Sequence, residues 1–423
     1  MRFAPAPRNA KDRFEVYRFY NGISGEAKEG LDRGRSRAPL VKTFLLEHVS
    51  KQSVQQPKPA DKLFPRVGVE LKQVDKSFFS VTAEVTNGQT VRTITGFLEQ
   101  YDERFFAYYT HEDSLSARKR VAKWAQHSDL DRAWFSSPLL QELWNKDVSG
   151  RGDQRFGKLV FKHESIFEMP EDSSADTGTE EEEEDAETAE PEEDHREPER
   201  RKARFEMADR VGQIKKSLGV LQDNYDPLNV LYALRLPSCT GRGGHDLYQD
   251  GQVTNRSDSF EDHRNTVRYL YRIYRQVLEQ TEKSAWHDIS KSSQTSPVIG
   301  TRGEPLIVKF SEPLSKATFD RWVSMAFQKR NRFKLWGDPV ILGPTKVHVY
   351  GADRHLWQPI NLELTANGVV AVLPYGTCGN TFHRLVANIQ HYVSPKIKAW
   401  IGSQPFEQVV GNWPVKIEDT DET

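Results

Sequence analysis

Between Leu234 and Trp286 the chain places His245, Asp246, Asp250, Asn255, Asp258, Asp262 and His263 within nineteen positions. Histidines beside carboxylates are what a divalent cation or a general acid–base pair requires. The candidate catalytic residues are therefore His245, Asp246 and His263. The candidate metal ligands are His245, Asp246, Asp258, Asp262 and His263, with Mg or Mn as the ion if the chain is catalytic. The corresponding chemistry is metal-dependent phosphodiester or nucleic-acid cleavage. The spacing fits no strong metal signature, and turn chemistry accounts for most of these residues. Gly243 and Gly244 form one tight turn, Asp250 and Gly251 another, and the later carboxylates cap a helix.

That helix starts near Asp262. Val267, Leu270, Tyr271, Tyr274, Val277 and Leu278 recur at the spacing of one helical face. Asp258 with Glu261, or Ser259 with Asp262, can close its first turn in capping-box fashion. Arg264, Arg268, Arg272 and Arg275 fall in a sector of roughly 80° beside the apolar stripe, at about 100° per residue. They form either a phosphate-binding ridge or a solvated face with intrahelical pairing, for which Glu279 is the one well-placed acid.

A second candidate anion site lies in GTCGNTFHRLVANIQHYV, from Gly376. A strand ending at Pro374 leads through a Gly-containing loop into a helix whose Phe382, Leu385, Val386, Ile389 and Val393 face inward. Free N–H groups at such a start attract anions. Gly379, Asn380, Thr381, His383 and Arg384 are the candidate phosphate or nucleic-acid contacts, against ordinary capping by Asn380 or Thr381. Cys378 has the setting of an activated thiol, but no general base is identifiable.

The elements that must position these residues are embedded in a chain of 423 residues with 37% hydrophobic and 11% aromatic content. No apolar run is long enough to span a bilayer, and the first twenty residues lack the apolar core of a secretory signal. Cys239 and Cys378 alone exclude a disulfide framework and suit a reducing interior, so the expected location is intracellular and cytoplasmic. Net charge is −2. However, Pro170 to Glu199 holds sixteen Asp or Glu residues and one Arg, or −15, which leaves +13 on the other 393. A segment of that composition buries too little apolar surface to fold, so it reads as a disordered linker that can limit non-specific binding to the basic body.

The expected fold class is α+β and multidomain. Residues 1–60 read as a basic and aromatic N-terminal arm with a short helix around Lys42 to Val49. Residues 61–169 read as an antiparallel meander with helices. Phe79 to Val85 and Val91 to Leu98 turn at Asn87-Gly88, and Arg104 to Thr110 adds a strand. A helix spans Ser114 to Gln126, and a last strand lies within Phe156 to Phe167. Residues 170–203 are the acidic linker. Residues 204–296 form a helical middle segment carrying the His/Asp loop, with Ala203 to Leu234 helical and a hinge at His287 to Glu304. Residues 297–402 form a C-terminal α/β domain, with a strand at Leu306 to Phe310, a helix at Ser315 to Arg332, a strand at Val347 to Tyr350 and a hairpin about Asn367-Gly368. Residues 403–423 are a tail.

The expected function is binding of nucleic acid, DNA or RNA, or of an acidic protein partner, away from membranes and within a larger hetero-complex. The alternatives are the metal-dependent nuclease above and a structural scaffold subunit docking through its N-terminal arm.

Overall fold

The computed structural model describes residues 7, 9–34, 39–50, 54, 60–87, 90–127, 129–165, 202–239, 243–291, 299–327 and 333–413. Of the expected acidic linker, residues 170–201 lie outside them and Lys202 and Ala203 begin a strand; Arg2, Arg8, Arg35, Arg37, Lys329, Arg330 and Arg332 also lie outside. The fold is α+β, with two largely antiparallel sheets.

The first sheet comprises Lys42–His48 (β1), Val69–Asp75 (β2), Phe78–Asn87 (β3), Thr90–Gln100 (β4), Phe105–Thr110 (β5), Leu130–Arg132 (β6), Phe156–Glu164 (β7), Lys202–Arg210 (β8), Leu231–Pro237 (β9), Gly244–Tyr248 (β10) and Gln252–Asn255 (β11). Their order is β2-β3-β4-β5-β1-β11-β10-β9-β7-β8, with β6 beside β1. The sheet thus takes strands from both sides of the acidic run. Around it lie helices Arg13–Asp32 (α1), Ala60–Leu63 (α2), Ser114–His127 (α3), Ser137–Leu143 (α4), Val211–Asn224 (α5) and Phe260–Ala285 (α6).

Three sequence expectations are corrected here. Lys42 to Val49 is not a helix: it is central strand β1, buried at every position and paired with β5 and β11. A short apolar run carries no period that separates helix from strand. The segment Ala203 to Leu234 is helical in α5 and in a short 3-10 turn at Asp226–Asn229, between β8 and β9. Helix α5 follows the apolar period, with Val211, Ile214 and Leu218 inward. The His/Asp loop is the β10–β11 hairpin, whose register sets His245 opposite Asn255. The N-terminal region also supplies core: Val16, Tyr20, Ile23 and Ala27 of α1 are buried. The amide of Phe260 donates to Asn21 Oδ1 at 2.7 Å, and Asn255 Nδ2 donates to Ser24 Oγ at 2.9 Å.

The second sheet comprises Trp286–Lys291 (β12), Ile299–Arg302 (β13), Leu306–Phe310 (β14), Leu335–Gly343 (β15), Lys346–Asp353 (β16), Gln358–Thr365 (β17), Gly368–Pro374 (β18), Ile397–Ile401 (β19) and Gln404–Pro405 (β20). Its main path runs β15-β16-β17-β18-β14-β19-β20, while β12 pairs with β13 and with the end of β18. Helices Lys316–Phe327 (α7) and Asn380–Tyr392 (α8) supply the apolar residues that pack with its inner side, and Phe406–Val410 (α9) follows. The expected hairpin is present, but its two-residue turn is Ala366-Asn367, one position before the expected Asn367-Gly368, because Gly368 pairs with Thr365. Gly368 has φ +154, and a Cβ there would lie 1.9 Å from the Val308 carbonyl oxygen, so only glycine fits.

α6 links the two sheets. At about 1.5 Å per residue its 26 residues extend roughly 39 Å. Ser259 is its N-cap, accepting from the Asp262 amide at 3.1 Å. Fourteen of its residues are buried, among them Leu270, Tyr274, Val277 and Leu278 along the predicted face.

Candidate functional site

β10 sends His245 and Asp246 to opposite faces, as successive strand residues must go. On one side His245 donates from Nε2 to Asp262 Oδ2 at 3.0 Å, and its Nδ1 lies 3.3 Å from His263 Nδ1. His263 Nε2 is 2.7 Å from the Thr43 hydroxyl. Asp262 also accepts from Ser238 Oγ at 2.6 Å and from the Cys239 amide at 3.0 Å. With both rings neutral one proton order satisfies the chain: Thr43 donates to His263, His263 to His245, and His245 to Asp262. Thr43, His245 and His263 expose no surface. Burial, then the neighbouring His245, hold His263 well below the usual histidine value. Burial would raise the Asp262 carboxyl, but hydrogen bonds from His245 and Ser238 hold it far below the carboxylate range.

On the other side Asp246 accepts from Arg235 at 2.6 and 3.0 Å and from Arg256 at 2.9 Å. These cations outweigh burial and keep its carboxyl below its usual value. Asp258 is half-buried in the turn before α6. The fold therefore gathers His245, Asp262 and His263 and separates Asp246 from them. Among the described residues no group of three or more His, Cys, Asp or Glu could hold a metal ion.

The α6 arginines meet acids from distant sequence. Arg264 forms a two-pronged pair with Glu99 of β4, Nε to Oε2 at 2.9 Å, and lies over the Tyr17 ring at 5.1 Å. Arg275 pairs with Glu279 at 2.8 Å and with Asp102 at 3.2 Å. Arg268 and Arg272 are half-buried between them.

At the start of α8 the anion is supplied by the protein itself. The Gly379 amide donates to Glu282 Oε1 at 3.0 Å, and a Cβ on Gly379 would stand 2.9 Å from Glu282 Cγ. Glu282 also receives Arg104 at 2.5 and 3.0 Å, and Arg104 Nη2 reaches Glu47 at 2.5 Å. The Cys378 thiol donates to Glu47 at 3.2 Å; burial, then Glu47, push it well above the ordinary thiol value. Asn380 donates to Asp131 at 3.0 Å and Thr381 to Asp353 at 2.6 Å. Arg384 bridges Asp131 and Asp353. His383 lies 3.4 Å from Ser136 Oγ and 3.4 Å from Thr281 Oγ1, and burial, then Arg384, push it down to about 3. All five candidate contacts, Gly379, Asn380, Thr381, His383 and Arg384, are buried.

A different surface is exposed. Along β14 to β19 the residues alternate: Leu335, Val347, Val349, Ile360, Leu362, Leu364, Val369, Ala371, Val308 and Ala399 are buried on the inner side. The ladder registers place the outer residues in rows. One row begins Trp336, Ala352 and Pro359, and the next Asp338, Tyr350, Asn361 and Val372. A third runs Val340, His348, Glu363, Val370, Ile307 and Trp400, and a fourth Lys346, Thr365, Gly368, Lys309 and Lys398. Trp336 is 59% exposed and Tyr350 73%. Neither ring has an aromatic partner among the described residues. Lys309 Nζ lies 5.5 Å from the Trp400 ring centroid. Glu363 accepts from Lys346 at 2.9 Å and from His348 at 2.6 Å, which together hold its carboxyl below its usual value.

A family model described as "MJECL33-like protein" matches residues 17–407. The chain belongs to the MJECL33-like family. The matched region runs from α1 into α9 and takes in both sheets and the outer face just described. The MJECL33-like chain is 30% identical over 145 residues to the uncharacterized protein MJECL33 of Methanocaldococcus jannaschii, across 34% of this chain and 33% of that protein. It is 28% identical over 144 residues to the probable protein kinase UbiB of Cellvibrio japonicus, across 33% of this chain and 25% of that protein. The chain thus spans about a third and a quarter of these relatives.

In the MJECL33-like chain the outer-face residues Trp336, Tyr350, Trp400, Lys309 and Lys398 went unmarked by sequence reasoning. The signal that could have found them is the alternation of LWGDPVILG with KVHVYGAD about a short turn, in which one set of positions carries rings and lysines.

Proposed function

We propose that this MJECL33-like protein binds nucleic acid through its basic body, as one subunit of a larger assembly. The observation that carries the reading is which cations remain outward once internal pairing is satisfied. Arg264, Arg275 and Arg384 are engaged by acids, whereas Lys309 and Lys398 stand exposed at adjacent outer positions with no carboxylate partner among the described residues. Residues 299–413 carry thirteen Lys or Arg against seven Asp or Glu. Counterion release on phosphate contact makes such binding steeply salt-dependent.

The test is fluorescence anisotropy of labelled DNA and RNA with the full chain across a salt series. Binding should weaken linearly in log–log form. Lys309→Glu with Lys398→Glu should lower the slope by about 1.4, from roughly 0.7 per single-strand phosphate contact. Absence of binding to any nucleic acid at low salt would overturn the reading. Binding of an acidic polypeptide alone would mark an acidic protein partner as the ligand.

A further inference from the structure

We infer that the ligand is single-stranded nucleic acid, with its bases stacked on the outer face of the second sheet. The inference rests on the nucleic-acid reading above and names its ligand class and site. The face combines two features that a strand with unpaired bases uses together.

The first is rings free to stack. Trp336 and Tyr350 sit diagonally across the β15–β16 ladder, since Trp336 opposes Ala352 and Tyr350 opposes Asp338. Ala352 leaves a low floor beside the indole. Further along the third row His348 is held by Glu363 and Trp400 lies under Lys309, so among the described residues of this face the free rings are Trp336 and Tyr350. Stacking on protein rings needs a base whose face is open; in a duplex the neighbouring base pairs occupy those faces.

The second feature is the placement of charge. Lys346, Lys309 and Lys398 share one row that crosses the strands, with Thr365 and Gly368 between them. At about 4.8 Å between neighbouring strands, β16 to β19 spans roughly 19 Å, the reach of a few nucleotides. The two carboxylates on the face act as guides. Asp338 lies in the second row near the β15 edge, and Glu363 is tied to Lys346 and His348. Phosphates are repelled there and drawn toward Lys309 and Lys398. At about 3.4 Å per residue and 4.8 Å per strand these lysines lie roughly 20 Å from Tyr350, so rings and lysines meet different nucleotides of one strand crossing the face.

The test uses the full chain with fluorescein-labelled dT20, rU20 and a 20-base-pair duplex. The single strands should bind more tightly than the duplex at equal salt. Trp336→Ala and Tyr350→Ala should each weaken single-strand binding about 5- to 150-fold, the range for losing one stacked base. Trp336→Phe should retain most of the affinity, and circular dichroism and melting temperature should stay at parental values for these exposed positions. Single-strand binding unmoved by the alanine variants overturns the site while the nucleic-acid reading stands. Tighter binding of the duplex overturns the ligand class. Failure of all three oligonucleotides to bind overturns both readings.

Discussion

Arg384→Met tests the buried network at the start of α8. Arg384 is 3% exposed and lies between Asp131 and Asp353, each 2% exposed. Removing one member of a buried pair costs about 3–5 kcal/mol, because the remaining charge is left desolvated. Here two carboxylates lose the same cation, which places the effect at the upper end. Asp353 keeps the Thr381 hydroxyl at 2.6 Å and the His355 amide at 3.0 Å, and Asp131 keeps Asn380 at 3.0 Å. These neutral donors temper the loss, so the expected destabilisation is about 4 kcal/mol. At about 2 °C per kcal/mol for a chain of this size, the melting temperature should drop roughly 8 °C. The assay is urea unfolding followed by circular dichroism, with thermal melts alongside. The size of the loss should depend on the charges left behind. Adding Asp131→Asn and Asp353→Asn removes both orphaned charges, and the triple variant should recover to within about 2 kcal/mol of the parent. A single variant within 1 kcal/mol of the parent, or a triple variant less stable than the single one, would refute the reasoning.

Stability should fall with pH below neutrality. His263, His355 and His383 are held below the usual histidine value by burial, His355 at about 4 and His383 at about 3. The unfolded chain therefore takes up their protons first, from about pH 6.5 downward, at up to about 1.4 kcal/mol per unit for each. The three remove about 4 kcal/mol between pH 7.5 and 5.5, while Glu47, raised by burial, acts in the opposite sense at lower pH. A urea midpoint unchanged over that interval would contradict this. Leu270→Ala, on the inward face of α6, should cost about 2–5 kcal/mol, and a loss under 1 kcal/mol by urea unfolding would count against the packing described. Asp262→Asn should cost about 1–3 kcal/mol by weakening its bonds with His245, Ser238 and the Cys239 amide. Its nucleic-acid affinity should match the parent's, and a selective loss of binding in a stable variant would show that the histidine chain does more than hold the core.

The elements legible in the sequence are those with a sustained period or a specific turn. α6 repeats its apolar residues from Val267 to Leu278, about three turns, and the β17–β18 hairpin is announced to within one residue by Asn367-Gly368. β1 carried no such mark, since KTFLLEH is apolar at its centre and its polar residues find partners only in the folded sheet. The candidate site residues were legible as reactive types but not as neighbours. His245 and Asp246 look like a pair until a strand turns them apart. Arg264 looks free until Glu99, 165 positions earlier, arrives beside it. Glu282 at the start of α8 is a similar case: its sequence distance from Gly379 hides that it already occupies the anion position.

The pairing of β7 with β8 changes what cutting the chain can do. Their nine residues run antiparallel from Phe156 opposite Arg210 to Glu164 opposite Lys202, and the acidic run joins their near ends. A protease that cleaves between 166 and 201 severs the covalent chain and leaves the ladder whole. The nicked protein should migrate as two bands on a denaturing gel and as one particle on a sizing column. The first sheet is shared between the fragments, β1 to β7 from one and β8 to β11 from the other, while the second sheet lies wholly in the second fragment: β1 fills its place only beside β11. Separately expressed pieces should consequently recover native structure only when mixed, which makes the acidic run a natural point at which to split the protein for complementation.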